Sequence, residues 1–428
     1  MEKREYTNVG ETVYYGKTSS GLPVYVLRKP GFTKAYAYYA VNYGGIDRRF
    51  DLGGGWIDTP AGVAHFLEHK MFEMPNGKNA LQTLTAMGAQ PNAHTSYDFT
   101  GYLFECSGKF YNILTSMLNF VGTPFFTAES VEKEQGIIRQ EILMGENDPD
   151  NVLDNNIRQC LFSAHPLKDD IAGTVDSVGT ITPEILYQCY NAFYNPANMV
   201  LSVAGDVDPE KVFKIADKAT RKSSGVDPVR GYGLPEDINY VTRETVREMT
   251  VSPPLYSIGA KAAVERDIRG KAYYRRVCVA EVACRYLLSS ARPFYERLYN
   301  DGVIIGGIGS GTNSVSGASL LTIGGASMEP GKVYDEIVAE SASIAVNGLD
   351  EAVFSRMKKA YLGADLRSYE DLGGMCQRLA RGHFRDMDYF ADALDIILDI
   401  TPEEARQFIG EVLTPERMAI SIVRPPNV

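Results

Sequence analysis

The sequence has 428 residues, of which 44% are hydrophobic and 23% are charged, a composition typical of a folded globular protein and not of a disordered chain. The net charge of −11 at pH 7 argues against nucleic acid as a partner, because an acidic surface repels a phosphate backbone. A chain of this length is expected to form two or more domains.

Features of a secretory signal or a membrane span are absent from the sequence. The opening residues, MEKREYTNVG, contain no apolar run, and no stretch of about 18 apolar residues occurs later. The cysteines form no CxxC pair, which predicts reduced, buried thiols and a cytoplasmic protein without a zinc–thiolate site. The six cysteines are Cys106, Cys160, Cys189, Cys278, Cys284 and Cys376.

The first part of the chain begins with strand patterns and continues into a short helix. The runs LPVYVLRK and KAYAYYAVNYGG are rich in β-branched and aromatic residues, which favours strands. A glycine-rich loop then leads into VAHFLEHKMF, predicted to be a helix with Thr59 as its cap and Pro60 in its first turn. A second helix is predicted to end at Gly88, before a strand pair in PNAHTSYDFTGYLFECS.

Further along, helical patterns dominate until one more strand appears. A long helix is predicted over residues 128–147, with Thr127 as its cap. Helices are also predicted in FYNILTSMLNFVGTP, ITPEILYQCYNAFY and DPEKVFKIADKAT, and a strand in NMVLSVAGDV.

A composition change predicts the domain boundary. Residues 223–240 are rich in Gly and Pro and have no periodicity, so they are predicted to link domain 1–222 to domain 241–428. After them a similar order of strands, a long helix, a strand pair and further helices begins again, which suggests two halves of the same architecture. Strands and helices that do not alternate strictly predict the α+β class.

The segment HFLEH carries the first candidate chemistry. His65 and His69 are four residues apart, so on a helix they project from one face with Cβ atoms about 5–6 Å apart. Neutral imidazoles are common zinc ligands, and the adjacent Glu68 is placed to serve as a general base beside a metal. Taken alone, such a histidine pair is more often a packed or exposed pair than a metal site.

A catalytic zinc site needs a third protein ligand, and the next long helix offers candidates. Glu134 and Glu141 are seven residues apart and share a helix face, so one could bind metal while the other orients an imidazole. Glu146 and Asp148 are further candidates near the end of this helix. By itself, a glutamate pair at this spacing is usually an exposed helix face.

These motifs together resemble peptidase family M16, the family of pitrilysin, insulin-degrading enzyme and mitochondrial processing peptidase. HxxEH is the inverted zincin signature, and VEKEQGIIRQEI follows it at the expected place. The segments YGGIDRRF, GAQPNAHTSYDFTGYLF, FYNPANMVLSVAGDVDPE and LTPERMAISIVRP extend the likeness along the whole chain. The similarity is to short bacterial members, and it implies two homologous α+β halves, each an antiparallel-rich sheet backed by helices, that form one half of a clamshell.

The resemblance also assigns roles to the candidate residues. It implies that His65, His69 and Glu141 bind Zn²⁺, that Glu68 is the general base, and that Glu134 is a companion of Glu141 that does not itself bind the metal. The implied activity is zinc-dependent hydrolysis of peptides or small unfolded polypeptides by an endopeptidase.

In the family, the strand after the motif pairs with extended substrate. The matching segment here is QPNAHTS, so the resemblance implies that Asn92 and Ala93 hold a peptide by edge addition. His94 is expected to be an exposed strand histidine without a ligand role.

One part of the family pattern is missing. Many members carry an Arg and a Tyr, seven residues apart, that help to bind the substrate carbonyl, and the matching positions here are Leu298 and Ile305. Arg297 lies one place away, and Tyr299 is out of frame. We therefore expect a heterodimer with a homologous subunit that supplies the pair, or else a chain that acts alone or as a homodimer with weak activity. The alternative from another class is a zinc-binding, non-catalytic subunit that captures peptides or acts as a scaffold.

Overall fold

The computed structural model describes residues 1–220, 227–262 and 268–426. Its strands, in chain order, are β1 (Glu2–Tyr6), β2 (Glu11–Lys17), β3 (Pro23–Arg28), β4 (Ala35–Val41), β5 (Arg49–Asp51), β6 (Trp56–Asp58), β7 (Ala89–Thr95), β8 (Thr100–Cys106), β9 (Met199–Gly205), β10 (Val229–Arg230), β11 (Glu244–Glu248), β12 (Leu255–Ala262), β13 (Ile305–Val315), β14 (Ala318–Ala326) and β15 (Met418–Arg424).

Besides the α-helices, the described residues contain three short 3₁₀ helices, at Pro166–Lys168, Pro196–Asn198 and Ser368–Glu370. The α-helices, in chain order, are α1 (Val63–Lys70), α2 (Ala80–Ala86), α3 (Phe110–Val121), α4 (Ala128–Gly145), α5 (Pro149–Leu161), α6 (Val175–Gly179), α7 (Pro183–Phe193), α8 (Pro209–Ala219), α9 (Gly270–Leu287), α10 (Pro293–Asn300), α11 (Pro330–Asn347), α12 (Glu351–Arg367), α13 (Leu372–Arg385), α14 (Tyr389–Leu398) and α15 (Pro402–Val412).

The chain divides into two compact units, and neither is one continuous segment. The first unit contains Met1–Ile142, Asp170–Gly231 and Leu366–Asp392, and the second contains Leu143–Asp169, Tyr232–Asp365 and Ala393–Val428. These units group the residues differently from the predicted domains 1–222 and 241–428, because one segment from each sequence half packs with the sheet of the other half. The boundaries 1–222 and 241–428 delimit the two similar halves of the sequence, and they remain a prediction.

The main sheet of the first unit has seven strands in the order β1-β2-β3-β9-β4-β8-β7. All neighbours are antiparallel except β3 and β9, and every residue of β9 is buried, as expected for the centre of a covered sheet. Strand β7 pairs only with β8 in the described structure, so it is an edge strand. Strands β10, β5 and β6 form a separate small sheet.

Alternate residues of the first sheet pack against helices on its two faces. Tyr39 and Val41 point into the core that contains α1, α3 and α7, whereas Tyr38 and Ala40 point to the opposite core, which α13 covers. Helix α13 is tied to the sheet by the Ser202 hydroxyl, which donates a hydrogen bond to the Cys376 carbonyl at 2.7 Å.

The second unit contains a five-stranded sheet in the order β11-β15-β12-β14-β13. Helix α5 packs on β12 and β15, and the contact requires glycine at residue 259, since an added Cβ would lie 2.5 Å from Ile157 Cγ1. Both units are thus antiparallel-rich sheets covered by helices, and the predicted α+β class is confirmed.

Helices α5 and α13 are the main elements that the sequence patterns do not predict. The sequence of α5, PDNVLDNNIRQCL, contains three asparagines, and α13 contains three glycines, all of them weak helix formers. Tertiary packing stabilises both helices, because each covers a sheet built mainly from the other sequence half.

The described part of the predicted linker is anchored within each unit. In the first unit, Arg230 lies in β10 and forms an ion pair with buried Asp47 at 3.1 Å. In the second unit, the Glu236 carboxylate accepts N–H hydrogen bonds from Ser163, at 3.0 Å, and from the next two residues. Residues 223–226 of the predicted linker lie outside the described residues.

The cysteines and the start of α4 agree with the predictions from the sequence. The six cysteines are buried and free, as predicted. None of the described helices combines the length and the apolar character needed to cross a membrane. The Thr127 cap is confirmed, since its hydroxyl oxygen accepts the N–H of Ser130 at 3.2 Å and its own N–H donates to the Ser130 hydroxyl.

Candidate metal centre

Helix α1 presents the HFLEH segment and is held by its apolar side. Phe66 and Leu67 are fully buried in the core of the first unit, so the helix cannot rotate without exposing them. The predicted Thr59 cap is wrong: the helix starts after Gly62, which has a φ of 90° and no capping side chain. Gly62 takes this place because its left-handed conformation turns the loop into the helix where the Ala172 carbonyl is very close.

We expect Gly62→Ala to lower the free energy of unfolding of this chain by about 2 kcal/mol or more, from backbone strain and a clash. An added Cβ would lie 2.4 Å from the Ala172 oxygen. Urea denaturation measures the change, and Gly54→Ala is the control, since a Cβ there meets nothing within 4 Å. Equal stability of the two variants would contradict this account of the loop.

Helix α4 supplies carboxylates from a face that lies beside its buried residues. Val131, Ile138 and Ile142 pack into the core, which leaves Glu134 and Glu141 on the side that faces α1. The spacing of seven residues, about two turns, therefore places both glutamates against the histidines.

The structure brings three candidate ligands together. Glu141 Oε1 lies 3.6 Å from His65 Nε2, and Glu141 Oε2 lies 3.7 Å from His69 Nε2. The imidazole rings have centroids 4.5 Å apart, and one donor atom from each of the three residues lies within 4.8 Å of the others. Among the described residues, these three form the one group found that could hold a metal ion, and they are called the metal-binding group below.

This donor set fits zinc. Donors bound about 2.0–2.1 Å from a tetrahedral zinc ion lie about 3.3–3.4 Å apart, close to the carboxylate–imidazole separations here. Two imidazoles and one carboxylate leave a fourth position open, as in catalytic zinc sites. Both Nε2 atoms face the Glu141 carboxylate, but at these distances neither forms a hydrogen bond with it. A cation placed between the imidazoles and the carboxylate would contact all three groups.

Burial and hydrogen bonding set the charge states of the two histidines. Burial lowers the pKa of His65 to about 4, which keeps its imidazole neutral with a free lone pair at neutral pH. Burial also opposes the charged form of His69, but the Glu134 hydrogen bond and nearby carboxylates outweigh it and raise the His69 pKa. His69 Nδ1 lies 3.0 Å from Glu134 Oε1, a contact that fixes the ring and directs Nε2 towards Glu141.

Glu68 is buried beside this group and is not one of its three members. The residue is 6% exposed, and burial raises the pKa of its carboxyl group. The Thr95 hydroxyl donates a hydrogen bond to Glu68 Oε2 at 2.8 Å. Sequence reasoning missed Thr95: alternation along β7 predicts that it shares a face with Ala93 but not that this face meets α1.

The predicted substrate strand lies next to the group. Asn92 and Ala93 are in the middle of β7, and α1 packs beside that strand. Asn92 is exposed, whereas Ala93 packs against the core.

The expectation of an exposed His94 is wrong, because its ring is half-buried on Tyr38. The two rings are stacked with centroids 5.7 Å apart, and His94 Nε2 lies 3.1 Å from the Tyr38 hydroxyl. His94 is not a member of the metal-binding group in the described residues.

Other sequence candidates have different surroundings. Asp148 caps helix α5 by accepting the N–H groups of Asp150 and Asn151, and Glu146 is exposed. In the second unit, Leu298 is buried in α10 and Ile305 begins β13. The neighbouring Arg297 guanidinium donates two hydrogen bonds to the Glu336 carboxylate, at 3.0 and 2.8 Å.

Comparisons with known proteins identify the family of the chain. The family described as Insulinase (Peptidase family M16) matches residues 54–175, and Peptidase M16 inactive domain matches residues 180–361. The uncharacterized zinc protease YmfH of Bacillus subtilis is 33% identical over 430 residues, which cover 99% of each chain. The chain belongs to peptidase family M16.

Solved M16 structures share the fold. An M16-like peptidase from Alicyclobacillus acidocaldarius superposes with a TM-score of 0.92 at 28% identity, covering 97% of this chain and 98% of that one. Pitrilysin superposes with a TM-score of 0.76 at 16% identity, and the match covers 99% of this chain but 46% of pitrilysin. Peptidases of family M16 use Zn²⁺, and zinc is the cofactor of this M16 chain.

Proposed function

We propose that this M16 chain is a zinc-dependent endopeptidase that hydrolyses peptides or small unfolded polypeptides, and that it is the catalytic subunit of a two-chain assembly. The observation that carries the proposal is the approach of Glu141 to both imidazoles of the HxxEH helix, at 3.6 and 3.7 Å, beside the buried carboxylate of Glu68. A metal and a base held together in this way are the requirements for hydrolysis of an amide.

The residues then have separate roles. His65, His69 and Glu141 would hold the metal, and Glu134 keeps the His69 ring in place through Nδ1. When bound, zinc would supply Lewis acidity, which polarises a peptide carbonyl and lowers the pKa of a water molecule to near neutral pH. Glu68 accepts a proton from this water on its carboxylate and returns it to the nitrogen of the leaving amine.

Substrate binding is assigned to the edge of the first sheet. Among the residues that the structure describes, strand β7 pairs only with β8, so its other edge is available to pair with an extended peptide through the backbone of Asn92 and Ala93. Backbone pairing is independent of side chains, which suits an enzyme that acts on peptides of varied sequence.

A homologous partner subunit is proposed because of the residues at 298 and 305. Leu298 and Ile305 have no polar side-chain group that could donate a hydrogen bond to a substrate carbonyl. The partner would supply an Arg and a Tyr at the corresponding positions and would lack HxxEH. The six free cysteines support a reducing compartment, and we place the assembly in the cytoplasm.

The test is hydrolysis of a quenched-fluorescent peptide by the chain co-purified with its partner. We expect cleavage within the peptide, loss of activity after chelation, and recovery on adding Zn²⁺, because the ligand set is part of the folded protein. The chain alone serves as the control for the partner. Tight binding of zinc and peptide without cleavage by the complex would favour the peptide-capturing subunit instead.

A further inference from the structure

The position of the Glu68 carboxylate depends on a contact from a different element. In the described part of the chain, this carboxylate accepts one hydrogen bond, from Thr95 Oγ1 to Oε2 at 2.8 Å. Thr95 is the last residue of β7, whereas Glu68 lies on α1, so the contact connects the edge strand to the HxxEH helix.

The surroundings of Thr95 direct its proton towards Glu68. Thr95 is paired with Thr100 of β8, and the two hydroxyl oxygens are 3.4 Å apart. The fully buried Thr100 hydroxyl donates to the Tyr43 carbonyl at 2.9 Å, so its own proton is already used. Thr95 has one proton, and the Glu68 carboxylate is the acceptor at the shorter distance.

We propose that Thr95 is a positioning residue for Glu68: it holds Oε2 by a hydrogen bond and leaves Oε1 as the oxygen that exchanges a proton during hydrolysis. This inference rests on the proposed peptidase function. A buried carboxylate without this contact would rotate about its side-chain bonds, and the proton-accepting oxygen would lose its fixed place.

The same contact relates the base to the proposed peptide-binding strand. Thr95 follows Asn92 by three residues, about 10 Å along a strand. Because both belong to β7, a peptide paired with this strand and the base held by its last residue share one rigid element. The strand therefore sets the distance between the scissile bond and Glu68.

Two substitutions separate the hydroxyl from the shape of the side chain. Thr95→Val keeps the branched shape and removes the donor, whereas Thr95→Ser keeps the donor. With the partner present, we expect kcat to fall about 10-fold in Thr95→Val, as for other residues that orient a catalytic group, with KM and zinc content unchanged. Thr95→Ser should retain most of the activity, which a purely structural role for the methyl group would not allow.

A second readout does not depend on activity. Crystal structures of the zinc-loaded variants should show Glu68 in the wild-type position in Thr95→Ser, and displaced or in several orientations in Thr95→Val. An unmoved Glu68 in Thr95→Val, or full activity of that variant, would overturn the assignment. If the wild-type complex cleaves no peptide, the proposed function fails, while the Glu68 position in the two crystal structures still decides the role of Thr95.

Discussion

Glu68→Gln is expected to abolish most peptide hydrolysis while leaving the protein folded and loaded with zinc. The amide is nearly isosteric with the carboxylate, and its oxygen can still accept the Thr95 hydrogen bond. An amide cannot take up a proton near neutral pH, however, so kcat should fall by about 100- to 10,000-fold, the usual contribution of a general base. Steady-state kinetics of the partnered complex measure this change.

Metal content distinguishes loss of the base from loss of the site. The number of zinc ions per chain, measured by inductively coupled plasma mass spectrometry, should be equal in wild type and Glu68→Gln, because Glu68 is not in the metal-binding group. The matched control is Glu132→Gln, an exposed residue on α4, which should leave both quantities unchanged. Unaltered hydrolysis by Glu68→Gln in the presence of the partner would exclude Glu68 as the base and weaken the peptidase proposal.

Local geometry explains why some features of the site can be predicted from the sequence. The spacing of four places His65 and His69 on one face of any helix, and the structure brings their rings together. The spacing of seven likewise places Glu134 and Glu141 on one helix face. Spacing alone, however, does not predict which of the two glutamates is the metal ligand. The family resemblance made that choice.

Local sequence patterns do not predict the features of the site that depend on tertiary structure. Thr95 meets Glu68 only because β7 ends beside α1, which no local pattern encodes. Cap preferences describe isolated helix ends and therefore favour Thr59 as the start of α1, whereas the nearby Ala172 carbonyl requires Gly62 at the actual start. Helices α5 and α13 were missed for the related reason that long-range packing compensates for weak intrinsic propensity.

Glu141→Gln is expected to remove zinc from the purified chain. A neutral amide oxygen is a much weaker zinc ligand than a carboxylate, and the open arrangement leaves no other carboxylate in the metal-binding group. Glu134→Gln removes only the carboxylate that orients His69 and should lower the zinc affinity about 10–100-fold. The loss of zinc affinity in Glu141→Gln should be larger. Competition with a chromogenic chelator gives both affinities.

The comparison with Glu146→Gln makes this result specific. Glu146 is an exposed glutamate that follows α4 and was an alternative ligand by sequence, so its amide should bind zinc like wild type. The Glu141 side chain is 50% exposed and makes no hydrogen bond in the described structure, so Glu141→Gln should not lower the free energy of unfolding of the zinc-free chain. Loss of zinc with unchanged apo stability would then arise from the missing ligand, whereas equal zinc affinity in Glu141→Gln and Glu146→Gln would show that a residue other than Glu141 completes the site.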